Sequence, residues 1–380
     1  MRSRRRRRVG LFMGLIDHFE HGIARGVVRF ARGRPDWDLY GYGWMFQSLG
    51  SLEGWDGDGL VARIESRKDA DRMAARGIPV VDVAGAWGRP GVRQVCNDDA
   101  ATGSLAARHL RLLGVGAFAF CGVPRVGWSQ ARREAFRAAV APSRVSVFEK
   151  PLAWWEGLRE SSPFDAWLRG LPKPVALFAC NDTAGLKAGA ACRRLGFEVP
   201  ADVAILGVDN EDILCELSVP PLSSISLDLE RIGWQAAEAL SGFMDGRPGR
   251  QTPILIPPRE VVERASTRTV VTGDTLVDEA LRLIHRAAVG APLTVGLAVK
   301  SIPSSRRSIE KRFKKALGRS IHQEIIRHRV DAARRLLRDT NLTVAAVAGE
   351  AGFANAQRFY AAFRSLQGVT PGAYRRSYRG

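Results

Sequence analysis

Over residues 9–260, short apolar runs alternate with segments whose apolar residues recur every three or four positions. The runs predict strands at Val9–Ile16, Gly59–Arg63, Pro79–Val83, Ala117–Cys121, Ala176–Ala179 and Val203–Val208. The segments predict helices at Gly22–Arg32, Arg67–Arg76, Gly103–Leu113, Ser129–Ala141, Ala184–Leu195 and Glu230–Phe243. Runs such as "VAILGV" are apolar throughout, as in a parallel strand buried on both faces. The alternation implies an α/β, doubly wound architecture, and this length of chain fits two such halves better than one.

The pattern changes after "QTPILIPPREVVERASTRTVVTGDT", where Pro253, Pro257 and Pro258 give way to Thr and Ser. Beyond it only helical periodicity remains. The expected division is a basic tail over 1–8, an α/β body over 9–266, a linker over 267–276 and an all-helical domain over 277–380. Within the last domain, two similar patterns at about 293–318 and 342–367 each read as helix-turn-helix.

In the first of these, Ile309, Phe313 and Leu317 make the inner stripe of the second helix, while Arg306, Arg307 and Lys311 fall outside it. In the second, Asn341 or Thr343 can cap the first helix, Ala348 allows close approach, and Gly352 suits the turn. Phe359, Phe363 and Leu366 are expected inside, with Asn355, Gln357, Arg358 and Ala361 on or near the outer face. Gln and Arg there suit bidentate contacts to base edges, and Arg364 suits a phosphate. The intervening run "HQEIIRHRVDAARRLLRDT" reads as one long helix spacing the two patterns.

Charge sharpens the picture. The formal net charge is +18. Residues 271–380 hold 20 Lys/Arg against 8 Asp/Glu, the first eight residues hold 6 Arg, and residues 9–270 hold 31 of each sign. A neutral body with a basic helical end is the footprint of a nucleic-acid binder. In the body, polar residues just past the strand ends are the ligand candidates, because open α/β sheets bind ligands there. They are Asp17, Asn181, Asp182, Asp209 and Asn210, with Arg132 in the helix after "CGVPRVGW" and Trp128 one turn before it as a stacking ring.

The helical end resembles the AraC/XylS family of bacterial regulators through "RRSIEKRFKKALG", "RVDAARRLL", "LTVAAVAGEAGF", "RFYAAFR" and "GVTPGAYRR". The body resembles the sensor of the xylose-regulator type within that family, a two-lobed periplasmic-binding-protein-like fold shared with lactose-repressor-type sensors. The phrases that carry this are "DGLVARI", "LPKPVALFACND", "VPADVAILGVDNEDILCELSVPPLSSISLD" and "ERAST". The resemblance implies a DNA-binding regulator controlled by a small ligand, a sugar such as a pentose, held between two lobes. It implies recognition helices in successive major grooves, a homodimer on repeated half-sites, and a cytoplasmic protein. It implies sugar contacts from Arg132, Asp182 and Asp209, and base-facing places for Arg306, Arg307, Lys311, Gln357, Arg358 and Ala361. The chain departs from the family in three places, one of them "LIDHFEHGIARG", which differs from the family's usual Tyr-Gly-Arg-Gly run. Pro303 and Ser304 stand where the first turn usually has Gly and an apolar residue, so that turn must be built differently. Five consecutive Arg at the start, Arg4–Arg8, read as extra phosphate affinity or a disordered tail.

Other classes fit poorly. The sequence has no P-loop, GxSxG, HExxH or Cys–His pairing, so no enzyme, metal or cofactor is expected. His18 and His21, three apart, are expected at a pocket rim rather than on a metal. The five Cys lie in apolar runs and read as buried reduced thiols. The apolar stretch Val9–Ile16 is too short for a membrane span and lacks a cleavage site, which argues against an exported sugar-binding protein.

Overall fold

The computed structural model describes residues 6–41, 55–87, 92–157, 162–247, 252–268, 272, 274–287 and 293–379. It divides into two compact units, Met1–Thr267 and Arg268–Gly380.

The first unit has two lobes. One begins with β1 (Arg7–Phe12), α1 (His18–Ala31), β2 (Trp37–Gly41), β3 (Gly59–Ala62), α2 (Arg67–Ala75), β4 (Val80–Asp82) and β5 (Val92–Asn97). The chain crosses to the other with α3 (Asp99–Arg111), β6 (Ala117–Gly122), α4 (Gly127–Ala139), β7 (Val145–Glu149), α5 (Leu152–Glu156), α6 (Ser162–Gly170), β8 (Val175–Ala179), α7 (Asp182–Leu195), β9 (Val203–Val208), α8 (Asp212–Leu217) and β10 (Ser223–Ser226). It returns with α9 (Leu229–Met244) and β11 (Ile254–Ile256), then ends in the second lobe with β12 (Glu260–Val262). The sheets run β11-β5-β4-β3-β1-β2 and β12-β10-β9-β8-β6-β7. Every pairing is parallel except β10 with β12.

The central strands are buried throughout, as in β8 and β9, which is why they read as unbroken apolar runs. Three connections cross between the lobes and are tied side by side: Asp98 N–H donates to the Ile256 carbonyl at 2.8 Å, and Arg259 N–H to the Ser226 carbonyl at 2.8 Å. In the first lobe α9 lies directly on α1. A Cβ at Gly233 would stand 1.9 Å from the Ile23 carbonyl oxygen, so the two backbones meet there and only glycine fits.

The start of the first strand differs from expectation. β1 opens at Arg7 and closes at Phe12, not Val9–Ile16. Arg6 pairs with Asp38 at 2.7 Å, Arg7 with Asp245 at 2.6 Å, and Arg8 with Asp56, so the end of the expected tail is pinned into the first lobe by three carboxylates. At the other end, Leu15 takes φ +50°, and Glu20 accepts the N–H groups of Gly14 and Ile16, pulling this stretch off the sheet.

The second unit is all-helical: α10 (Thr275–Arg286), α11 (Val295–Val299), α12 (Arg306–Leu317), α13 (Ile321–Asp339), α14 (Val344–Glu350), α15 (Ala356–Gln367) and α16 (Pro371–Arg379). One core joins α10, α11, α12 and the start of α13; another joins the rest of α13 to α14, α15 and α16. Side-chain caps start the helices at Asp274, Thr294, Ser305, Ser320, Thr343 and Asn355. Gly318 and Gly368, both at positive φ, end α12 and α15. Leu366 departs from expectation: it is 36% exposed, whereas Phe359 and Phe363 are buried. It lies in the last turn of α15, beyond the point where Tyr374 of α16 covers Phe363.

Candidate ligand cleft and DNA-reading helices

Between the lobes lies a cavity of about 670 Å³. Its walls are the segments that follow the carboxyl ends of strands in both sheets, where a doubly wound sheet exposes N–H groups and loop side chains. Asp17, Trp128, Arg132, Asn181, Asp182 and Asp209 all line this one cavity.

Their places in it differ. Asp17 caps α1 by accepting from Glu20 N–H at 2.8 Å and holds Arg63 at 2.7 Å. Asn181 caps α7, accepting from Ala184 N–H at 3.0 Å. Asp182 is 1% exposed, and its oxygens are taken up by the Ser224 hydroxyl at 2.6 Å, Glu211 N–H at 2.8 Å and the Cys215 thiol at 3.5 Å. Arg132 is 5% exposed, donates to Asp99 at 2.8 Å and to the Cys180 carbonyl at 2.6 Å, and lies 5.0 Å from the centre of the Trp128 ring. Asp209 is different: no donor among the described residues bonds to its carboxylate, which opens on the cavity.

Electrostatics follow from this crowding. Burial pushes the carboxyls of Asp182 and Asp209 above the usual range; the charge of Asp209 adds to the rise at Asp182, and those of Asp17 and Asp99 add to the rise at Asp209. Arg132 and Arg63 pull Asp209 back down. Burial works against the charge on Arg132, but Asp99 and Asp209 overcome it and hold the guanidinium above its ordinary value. Backbone strain gathers here too. Among the described residues, the non-glycine positions with left-handed φ are Leu15, Arg125, Asp209 and Asn210, all on loops that shape the cavity.

Sequence reasoning missed several lining residues. Arg63 is held by Asp17, Glu20 and Glu65. Asp99 is the partner of Arg132. Asn97, 6% exposed, donates to Asp99 and Thr102 while its buried Oδ1 has no partner among the described residues. Glu211 reaches across the cleft, accepting from His18 N–H of the first lobe at 3.0 Å. His18 lines the cavity and His21 bonds to the Leu15 carbonyl. No cluster of three or more metal-ligating side chains occurs among the described residues.

In the helical unit, α12 and α15 each bury one face and leave the other open. Arg306, Arg307 and Lys311 are exposed on α12, and Gln357, Arg358, Ala361 and Arg364 on α15. Asn355 is exposed, but its side-chain oxygen is used as the α15 cap, accepting from Arg358 N–H at 2.9 Å. Arg306 pairs along its own helix with Glu310 at 2.9 Å, a solvated contact of small worth. The two turns are built differently. The second uses Gly352 at φ +81°. The first, Lys300–Ser305, contains no positive-φ residue; Ile302, 5% exposed, plugs the core and Pro303 stands outside.

The model of the periplasmic binding protein-like domain matches residues 107–267, and that of a helix-turn-helix domain matches 300–377. The chain is 28% identical to the xylose operon regulatory protein of Escherichia coli K12 over 98% of its own length and 97% of that protein. A solved xylose-binding transcription activator matches at 27% identity and a TM-score of 0.73, covering 99% of both chains. A LacI-family regulator from Enterococcus faecalis with bound ribose shares the fold of the first unit: 20% identity, TM-score 0.56, over 70% of this chain and 99% of that one. No described helix is long and apolar enough to cross a membrane.

Proposed function

The chain belongs to the AraC/XylS family of transcription regulators, of the xylose-regulator type with a periplasmic-binding-protein-like sensor, and from that premise we propose that its effector is a neutral sugar seated on Asp209. The carboxylate that opens on the cavity without a protein donor carries this assignment, since an acceptor shut in by a ligand needs donors and vicinal hydroxyls supply them. Arg132 and Asn181 contact the same ligand, Trp128 stacks on it, and Asp17 closes from the opposite lobe. Asp182, with its oxygens already engaged, supports the wall that carries Asn181 and Glu211.

The sign of the charge narrows the ligand. Seven acidic side chains line the cavity against three guanidinium groups; even with Asp182 holding its proton the acids outnumber the cations, two of which, Arg63 and Arg132, are already held by carboxylates. A sugar acid or phosphate would enter a field of its own sign, whereas a pentose such as the xylose or ribose bound by the relatives would not.

On the DNA side, Gln357 and Arg358 read base edges, with Arg306, Arg307, Lys311, Asn355 and Ala361 close to the duplex and Arg364 on a phosphate. The regulator acts as a cytoplasmic homodimer on repeated half-sites; its five free cysteines, all buried, suit a reducing compartment.

A thermal-shift panel tests the ligand class. D-xylose and D-ribose are compared with D-xylonate and ribose 5-phosphate. A neutral sugar at a hundred times its Kd should stabilise the sensor by about 2.7 kcal/mol. Equal stabilisation by the anions, or none by any neutral sugar, would refute the assignment.

A further inference from the structure

The segment that leaves the second lobe, Arg264–Thr267, is locked into it by buried polar groups. Ser266 donates to the Ile205 carbonyl at 2.6 Å and accepts from Ser223 N–H at 2.8 Å, and Thr267 donates to the Ser223 hydroxyl at 2.7 Å. At its head stands Arg264, 1% exposed and among the largest fully buried side chains of the chain. A buried guanidinium is costly unless its donors are met. Here one goes to the Leu222 carbonyl at 3.0 Å, and the others go to one short helix: Glu216 at 3.3 Å and Asp212 at 3.4 Å, both on α8.

The same helix faces the ligand cleft from its other side. Leu214 and the preceding Glu211 line the cavity, five and two residues beyond Asp209. Glu211 accepts the His18 N–H of the first lobe across the cleft, and its own N–H is held by Asp182. So α8 is in contact with the opposite lobe at one end of its contact chain and with Arg264 at the other, four residues before the DNA-reading unit begins at Arg268.

We propose that α8 and Arg264 form the output linkage of the sensor: a change in lobe closure felt by Glu211 moves α8, and its two carboxylates pass that displacement through Arg264 to the exit segment. Arg264 is a positioning residue and touches no ligand. The coupling has physical content because both ends bias the same element, and a ligand shifts it only through its differential affinity for the two lobe arrangements. The proposal rests on the cavity being the effector site.

The test uses the full chain with the pair D212N/E216Q. Both side chains are about half exposed, 57% and 48%, and the amides remove the two charges while keeping an acceptor oxygen for each Arg264 donor. R264K is the second variant. Effector Kd is measured by calorimetry with D-xylose, or with D-ribose if that stabilises the wild type more. Affinity for a promoter fragment bound by the wild type is measured with and without that sugar. The expected result is an effector Kd within threefold of wild type and a sugar-induced change in promoter affinity reduced at least tenfold. An undiminished sugar effect in D212N/E216Q would overturn the linkage, as would loss of sugar binding in that pair. A wild type that binds neither sugar would instead overturn the effector site itself.

Discussion

The two units handle charge in opposite ways. The lobed unit turns its decisive charges inward: Arg132 is 5% exposed and Asp182 1%. The helical unit turns them outward, keeping Arg306, Arg307, Lys311, Arg358 and Arg364 in solvent over two apolar cores. The difference follows from the partner proposed for each unit. A neutral sugar brings only hydroxyls, so it must be met by desolvated, pre-aimed groups whose own stability cost is carried by the fold. A duplex brings a dense row of phosphates, so solvated cations on a rigid scaffold suffice and the attraction is felt at a distance.

The largest way to break that contrast is Arg132→Ala. It leaves Asp99 facing the cleft without its cation and should destabilise the lobed unit by about 3–5 kcal/mol. All nine Trp precede residue 235, so Trp fluorescence in a urea titration reports this unit alone. An unchanged midpoint would remove Arg132 from the frame of the site.

Acidity should act on the two units with opposite sign. His328, 8% exposed on α13 where it stacks on His285 of α10, is pushed down to about 4, by burial first and then by the charges of Arg268, His285 and Arg335. Its unfolded form takes a proton near 6.5 that the folded form refuses, so acidification between those values costs the helical unit on the order of 2–3 kcal/mol. Asp182 and Asp209 are shifted up instead. Folded, they keep protons that the unfolded chain has lost, so the lobed unit gains stability as pH falls from neutrality toward the ordinary carboxylate range. Hydrogen exchange on the whole chain at pH 7 and pH 5 separates the two. His328→Gln should flatten the helical unit's slope, and a slope that persists would assign it to another group.

Much of this organisation is legible in the sequence, and the part that is not has a common cause. The apolar runs identify β1, β3 and β4 in one sheet and β6, β8 and β9 in the other, which are the strands at the middle of each. The missed strands lie to either side. β7 is half-buried along its whole length, and β10 is "SSIS", whose Ser223 and Ser224 are buried but satisfied by partners distant in sequence. Apolar periodicity detects burial on both faces and is blind to edges and to polar groups paired across the fold. The same blindness hid Asn97. It ends β5, "VRQVCN", and a rule that looks past strand ends could find it only once that strand was recognised. Arg63 was read as the last residue of a recognised strand, which the structure ends at Ala62, and its role depends on Asp17 and Glu20, 46 and 43 residues away. In the helical unit the inner stripes are local, so the sequence states them directly, Leu366 excepted; of the two cap candidates for α14 the structure uses Thr343, and Asn355, read as outward-facing, caps α15.

A smaller effect sharpens the comparison within the reader. Gly352→Ala forces a side chain into left-handed φ and should cost the helical unit about 1–2 kcal/mol. Pro303→Ala, in a turn that uses no such conformation, should change stability by less than about 1 kcal/mol. Far-ultraviolet dichroism during thermal unfolding would show whether the two turns differ in this way or share one construction.

Promoter binding of the whole chain, titrated against salt with and without D-xylose or D-ribose, bears most directly on the division of labour between the units. For Asp209→Asn, affinity for the wild-type promoter fragment should remain and fall steeply with salt, while the response to sugar disappears; for Arg358→Ala, discrimination between promoter and unrelated DNA should weaken by about 1–3 kcal/mol with sugar binding intact. A full sugar response in Asp209→Asn, or promoter affinity indifferent to salt, would contradict a sensor that listens inside and a reader that grips outside.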